Sequence, residues 1–114
     1  MKLVENKISV DELKKMSEKM FGSLVKAVVD IEKEIMVVDA ELHSDEEELL
    51  LENESNQENL WGINLYPEDI DTENWIEFDS MINIRPSSGN RSCSIEDPNI
   101  RKKIITIVNR LVTK

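Results

Sequence analysis

The chain has 114 residues, which suits one domain with one modest core and needs neither a metal nor a disulfide to fold. Hydrophobic residues at 39% and charged residues at 33%, with three glycines and three prolines, exclude a low-complexity or wholly disordered chain. A net charge of −10 and an isoelectric point near 4.6 disfavour nucleic acid and anionic lipid as partners, since neutralising phosphates needs clustered Lys and Arg.

Ser9-Val10-Asp11-Glu12 forms a capping box that starts the first helix, with Ile8 and Leu13 at the staple positions. Leu13, Met16, Met20 and Phe21 follow at spacings of three and four, and Gly22 suits a left-handed helix end. From Leu24 the period becomes two: Val25, Ala27, Val29 and Ile31 point one way, Lys26, Asp30 and Glu32 the other. Beyond a polar turn at Lys33, Met36, Val38, Ala40 and Leu42 alternate with Ile35, Val37, Asp39, Glu41 and His43, which predicts a hairpin. Ser44 to Glu47 reads as a second capping box, with Asp45 to Glu48 crowding a first turn where the helix dipole favours negative charge. Leu49, Leu50 and Leu51 give this short helix something to bury, and polar residues 53–59 form a loop.

A second strand pair follows. Trp61, Ile63 and Leu65 alternate with Gly62, Asn64 and Tyr66. After the acidic loop Pro67 to Asn74, Ile76, Phe78, Ser80, Ile82 and Ile84 share a side opposite Trp75, Glu77, Asp79, Met81, Asn83 and Arg85. Asp97-Pro98 marks the N-cap and first position of a last helix, whose stripe is Ile100, Ile104, Ile107, Val108 and Leu111. The expected order is α-β-β-α-β-β-α: a single α+β domain over residues 1–114, with a mainly antiparallel four-stranded sheet and the helices packed on one face. The reverse face would then display Asp30, Glu32, Asp39, Glu41, His43, Asn64, Glu77, Asp79, Asn83 and Arg85. Such a face is either plainly solvated or, with Ile35, Val37, Tyr66, Trp75 and Met81 on the same side, mixed enough for recognition.

Charge is sorted along the chain. Between Lys33 and Arg85 there is no Lys or Arg, yet that stretch holds sixteen of the twenty-four Asp and Glu residues. Cys93 is the lone cysteine and fits a reducing compartment, and no segment approaches the roughly 20 apolar residues of a membrane span, so a cytoplasmic location is expected.

The runs Val29-Asp30-Ile31-Glu32, Glu41-Leu42-His43-Ser44-Asp45-Glu46, Leu60 to Pro67 and Phe78 to Pro86, followed by Gly89-Asn90-Arg91-Ser92, resemble a family of small prokaryotic proteins known only as a domain of unknown function. The resemblance spans nearly the whole chain. It implies a single-domain bacterial or archaeal protein and brings no activity or catalytic residue with it.

The residues themselves offer several candidates. Arg85 to Ser92 carries two guanidinium groups, three hydroxyls and a glycine-permitted turn, the parts of an anion site, although the P-loop spacing is absent. Asn64, Asn83, Arg85, Asn90 and Arg91 form the candidate ligand-binding set; the alternative is that Arg85 and Arg91 pair with acids of the middle block. His43 and Asp79 are the candidate catalytic residues, with His43 as base, Asp79 or Asp45 as acid or metal ligand and Arg85 as anion clamp. Asp69 to Glu73 has the alternating oxygens of a calcium loop, but Asn74 stands where glycine is needed and Ser80 where a bidentate glutamate is needed. No metal and no cofactor is expected. The leading functional expectation is a binding module for a protein partner or a small anionic ligand. A small hydrolase or phosphate-ester-processing enzyme using His43, Asp79 and Arg85 is one alternative, and an acidic nucleic-acid mimic or antitoxin-like partner of a basic protein is another. Self-association as a homodimer is a further expectation, because Trp61 and Trp75 exceed what helices on one face cover.

Overall fold

The apolar alternation builds the sheet, and the computed structural model, which describes residues 1–114, arranges it in five strands. In chain order they are β1 (Lys2–Val4), β3 (Val25–Asp30), β4 (Ile35–Val38), β5 (Leu60–Leu65) and β6 (Ile76–Glu77). Their spatial order is β1-β4-β3-β5-β6, with every neighbouring pair antiparallel. Two short strands, β2 (Ile8–Ser9) and β7 (Val112–Thr113), pair in parallel apart from this sheet. The three helices are α1 (Val10–Met20), α2 (His43–Glu52) and α3 (Pro98–Leu111). The fold is therefore α+β as expected, but the sheet has five strands rather than four, and the element order gains β1, β2 and β7. These additions are two or three residues long, too short to carry a period of their own.

Helix ends follow the capping chemistry where it was clearest. The Ser9 hydroxyl accepts from the Glu12 amide at 3.1 Å, while the Glu12 carboxylate turns to Lys2 Nζ at 2.6 Å. Gly22 adopts φ +85° and its N–H returns to the Ser17 carbonyl, closing α1. Asp97 Oδ1 accepts from the Asn99 amide at 2.8 Å, and Pro98 fills the first position of α3.

The expectation that all helices pack on one face does not hold. Val25, Ala27 and Val29 of β3 join Met36, Val38, Trp61, Ile63 and Leu65 in one cluster with Leu13 of α1 and Ile104, Ile107, Val108 and Leu111 of α3. The alternate residues Val28, Val37 and Leu60 pack on the reverse face against Leu50 of α2. The physical reason lies in β3 and β4, where apolar residues occur on both sides of the pleat, the pattern of strands covered twice. Only the ends of that reverse face are polar. Asp30, expected to face solvent, is 1% exposed: its Oδ1 accepts from the Glu32 and Lys33 amides at 2.9 Å each, and its Oδ2 from the Ser55 hydroxyl at 2.6 Å. Asp30 thus shapes the β3–β4 turn.

The second hairpin is also shorter than the alternation implies. After Glu77 the chain leaves the ladder and makes a 3₁₀ turn over Met81–Asn83 and another over Pro86–Ser88. A long-range contact wins over local periodicity here. The Asn83 side-chain amide accepts from Gly62 N–H at 2.8 Å and donates to Gly62 C=O at 2.9 Å, pinning the turn flat on β5. Gly62 permits this approach because a Cβ there would stand 2.5 Å from the Cβ of Ser80.

Candidate functional site

Sheet register gathers the polar residues of the reverse face at one end. Lys26 of β3 lies opposite Asn64 of β5, and Asn64 lies opposite Glu77 of β6, so the three side chains form a row across three strands. Asn64 Nδ2 donates to Glu77 Oε1 at 2.7 Å and to the Asp79 carbonyl at 3.2 Å, while the Tyr66 hydroxyl donates to the same Glu77 oxygen at 3.3 Å. Burial, followed by the Glu77 charge, raises the Tyr66 phenol above its ordinary value, which keeps it a donor.

α2 begins two residues earlier than the capping box suggests. Its N-cap is Leu42, which offers no side-chain bond, so His43 rather than Asp45 opens the helix. Two side chains fix that start instead. His43 Nε2–H donates to the Ile63 carbonyl at 2.7 Å, which leaves Nδ1 with the lone pair in the neutral ring. Glu46 Oε2 accepts from the Ala40 amide at 3.2 Å, and Glu46 Oε1 has no partner although the residue is fully buried. Burial pushes the Glu46 carboxyl up to about 10 against the pull of the Ala40 amide, so it is protonated at neutral pH. Burial likewise holds His43 below its ordinary 6.5, with the Ile63 hydrogen bond opposing and Lys26 adding to the effect.

His43, Lys26, Ser44, Ser80 and the exposed Leu42 and Met81 line a recess of about 160 Å³. His43 is hydrogen-bonded to a carbonyl and to no hydroxyl or thiol, and the Ser80 hydroxyl is taken up in accepting from the Ile82 amide at 3.3 Å. There is thus no nucleophile and base in register.

Arg85 is elsewhere. Its Nη2 donates to the Leu60 carbonyl, three residues along β5 from the carbonyl that holds His43, a separation of about 10 Å on an extended strand. Its charge faces Glu47 at 3.5 Å and its guanidinium stacks on Trp61 at 4.9 Å. Asn83 and Asn90 are buried and spent on main-chain groups: Asn83 holds Gly62 and also the Cys93 carbonyl at 3.0 Å, and Asn90 Nδ2 donates to the carbonyls of Asn83, Ser92 and Ser94. Beside the exposed Arg91, two amides and a hydroxyl of the loop converge on a carboxylate of the chain itself. Glu96 Oε2 accepts from the Arg91 amide at 2.9 Å, the Ser92 amide at 3.0 Å and the Ser92 hydroxyl at 2.8 Å. The Ser92 hydrogen bond is the largest cause holding the Glu96 carboxyl below the usual range. Of the seven candidate site residues, the fold brings together His43, Asn64 and Asp79; Asn83 is held at Gly62 in the middle of β5, and Arg85, Asn90 and Arg91 lie toward the Leu60 end and its covering loop.

No group of three or more His, Cys, Asp or Glu side chains is arranged to hold a metal ion. No helix is long and apolar enough to cross a membrane.

One concave site was not anticipated. Between α3 and the segment before β6 lies a cleft of about 350 Å³, lined by Asp71, Thr72, Glu73, Trp75, Ile76, Phe78, Ile105 and Asn109. The Trp75 indole N–H donates to Asn109 Oδ1 at 3.3 Å, which fixes the ring as part of the wall. Next to it, sharing Glu73 and Ile76, is a recess of about 290 Å³ lined also by Tyr66, Asp69, Asn74 and Glu77. The available signal was Ile105, an apolar residue off the buried stripe of α3 and 39% exposed.

Taken together, the molecule is an α+β domain whose antiparallel sheet lies between two helical layers, with shallow sites at its β6 edge. The chain belongs to the family described as Protein of unknown function (DUF5674), whose model matches residues 2–111. A domain of unknown function is what the motif runs from Val29 to Ser92 resemble. No curated protein and no solved structure matches the chain.

Proposed function

We propose that the chain is a protein-interaction module whose partner presents a positively charged surface. The observation that carries this reading is the unneutralised acidic block: of its sixteen carboxyl groups, only Glu34, Glu47, Glu68 and Asp71 have an ion-pair partner. Asp45, Glu48, Glu52, Asp69, Glu73, Glu77 and Asp79 are exposed and unpaired. A field of one sign steers encounter with the opposite sign and rejects like-charged partners.

The alternatives have less support. A hydrolase needs His43, Asp79 and Arg85 around one substrate atom, yet the β5 carbonyls that hold His43 and Arg85 are about 10 Å apart and Arg85 is paired with Glu47. An anionic ligand would have to displace Glu96 from the Arg91 and Ser92 amides. We place the protein in the cytoplasm, where the unpaired Cys93 stays reduced.

Cross-linking with mass spectrometry would identify the partner, and affinity for that purified partner would then be measured against salt. Between about 50 and 300 mM salt the affinity should fall about tenfold or more, and charge reversal at Asp69, Glu73 and Glu77 should mimic high salt. Binding indifferent to salt and to charge reversal would remove the proposal.

A further inference from the structure

The acidic surface describes what attracts a partner and leaves open where the partner is gripped. Charge alone gives long-range steering, and a specific complex also needs a desolvated anchor. The cleft beside α3 has the composition of one. Its floor is apolar: Trp75 and Ile76 are buried, Phe78 is half-buried, and Ile105 projects from the α3 wall with 39% of its surface in solvent. Its volume of about 350 Å³ sits at the lower end of the range for small ligand pockets, which suits one large side chain. Trp75 has its only polar atom satisfied by Asn109, so the indole meets an incoming group as an apolar surface.

The rim and its neighbourhood decide what kind of segment delivers that side chain. Glu73 belongs to both the cleft and the adjoining recess, and the recess adds Asp69 and Glu77. None of these three carboxylates has an ion-pair partner, whereas two of the cations nearby are committed. Lys114 is paired with Asp71, and Arg101 donates to the Ser94 hydroxyl at 2.6 Å while stacking on Phe78 at 4.9 Å. Lys102, one turn before Ile105 on α3, keeps positive charge at the helix wall and leaves the loop wall to the acids.

From this juxtaposition we infer that the cleft takes an apolar or aromatic side chain from a partner segment that carries lysine or arginine within a residue or two of it. The apolar group enters between Ile105 and Phe78, and the cation lies over Glu73 toward Asp69 and Glu77. This rests on the proposal of a basic partner and adds the anchor to it.

The probe is a capped pentapeptide with phenylalanine at the centre and lysines on both sides, titrated into the full chain while the two indole N–H signals are followed by NMR. The Trp75 signal should move, because that N–H lines the cleft, while the Trp61 signal serves as the internal reference. Glu73→Lys should weaken the response roughly three- to tenfold, and Ile105→Glu should weaken it at least as much; both side chains are exposed, so both variants should fold. Two control peptides separate the layers of the inference. If the peptide with alanine at its centre moves Trp75 equally, the anchor is overturned and the attraction to basic partners stands. If the peptide with glutamates replacing the lysines binds as well, the charge preference is overturned along with the proposed function. No movement of Trp75 with any peptide at millimolar concentration also overturns the anchor.

Discussion

The two faces of the sheet are built by different means from the same strands. On the first face, twenty buried residues form one apolar cluster under α1 and α3, and specificity comes from shape. On the second, α2 covers a cluster of only four, Val28, Val37, Leu50 and Leu60, and the remaining area is occupied by polar groups. Asp30, Glu46, Asn64 and Asn83 are all buried there; Asp30, Asn64 and Asn83 are bonded to groups far away in sequence, and Glu46 ties the start of α2 to the Ala40 amide just before it. The difference teaches that a small apolar patch can seat a helix when directional bonds fix its position.

The strongest way to break this contrast is Asn83→Ala. It leaves the Gly62 N–H, the Gly62 carbonyl and the Cys93 carbonyl without their partner, at a cost of about 4 kcal/mol. Urea unfolding would measure it, and a loss below about 1 kcal/mol would mean that water replaces the side chain readily. Next in size, Leu50→Ala should cost about 3 kcal/mol, in the range of Ile104→Ala on the first face, if the second face is a core in its own right. A loss under about 1 kcal/mol would reduce α2 to a loose cover.

Glu46→Gln should act in the opposite direction. The folded carboxyl titrates at about 10 rather than at its ordinary 4.5, so its protonated form belongs to the fold. Its contribution is fully present below about pH 4.5 and drains away as pH rises toward 10. Glutamine keeps an acceptor for the Ala40 amide and has no proton to lose. The variant should be about 2 kcal/mol more stable at pH 7, with a flatter stability profile between about pH 5 and 9. An unchanged profile would show that Glu46 reaches water.

The smallest effect belongs to His43. Its folded value lies below 6.5, so the stability tied to the neutral ring is present above that pH and is lost as pH falls through the lowered value. An NMR titration of the ring should give a midpoint below 6.5, and His43→Ala should cost about 1 kcal/mol by leaving the Ile63 carbonyl unpaired. A midpoint at or above 6.5 would contradict the burial.

What could be read from the sequence was whatever is encoded within a few residues. α1 and α3 carry their caps locally, at Ser9 and at Asp97-Pro98, and the β3–β4 hairpin carries its own alternation. The side taken by α2 was not legible, because Val28 and Val37 share their side of the pleat with Lys26, Asp30 and Asp39, and alternation alone does not say which side another element will cover. The end of β6 was hidden for a stronger reason. Ile82 and Ile84 continue a strand pattern, yet the geometry is set by Asn83 meeting Gly62 twenty-one positions away. The candidate site divides along the same line: register sets Asn64 against Glu77 and so beside the Asp79 carbonyl, His43 joins them from α2 through the Ile63 carbonyl, and Arg85 parts from them once the second hairpin ends early. Asn83 and Asn90 look like ligand-binding side chains in sequence and serve as main-chain staples in space.

The two outer strands are three and two residues long, and just past β6 the margin of the sheet is occupied, since Ser80 N–H bonds to the Cys93 carbonyl and Ile95 N–H to that of Phe78. Very little unpaired ladder remains for another copy to template on. Concentrated solutions of the native protein should therefore resist fibril growth, and conversion to cross-β deposits would first have to peel away the strip around Ser94.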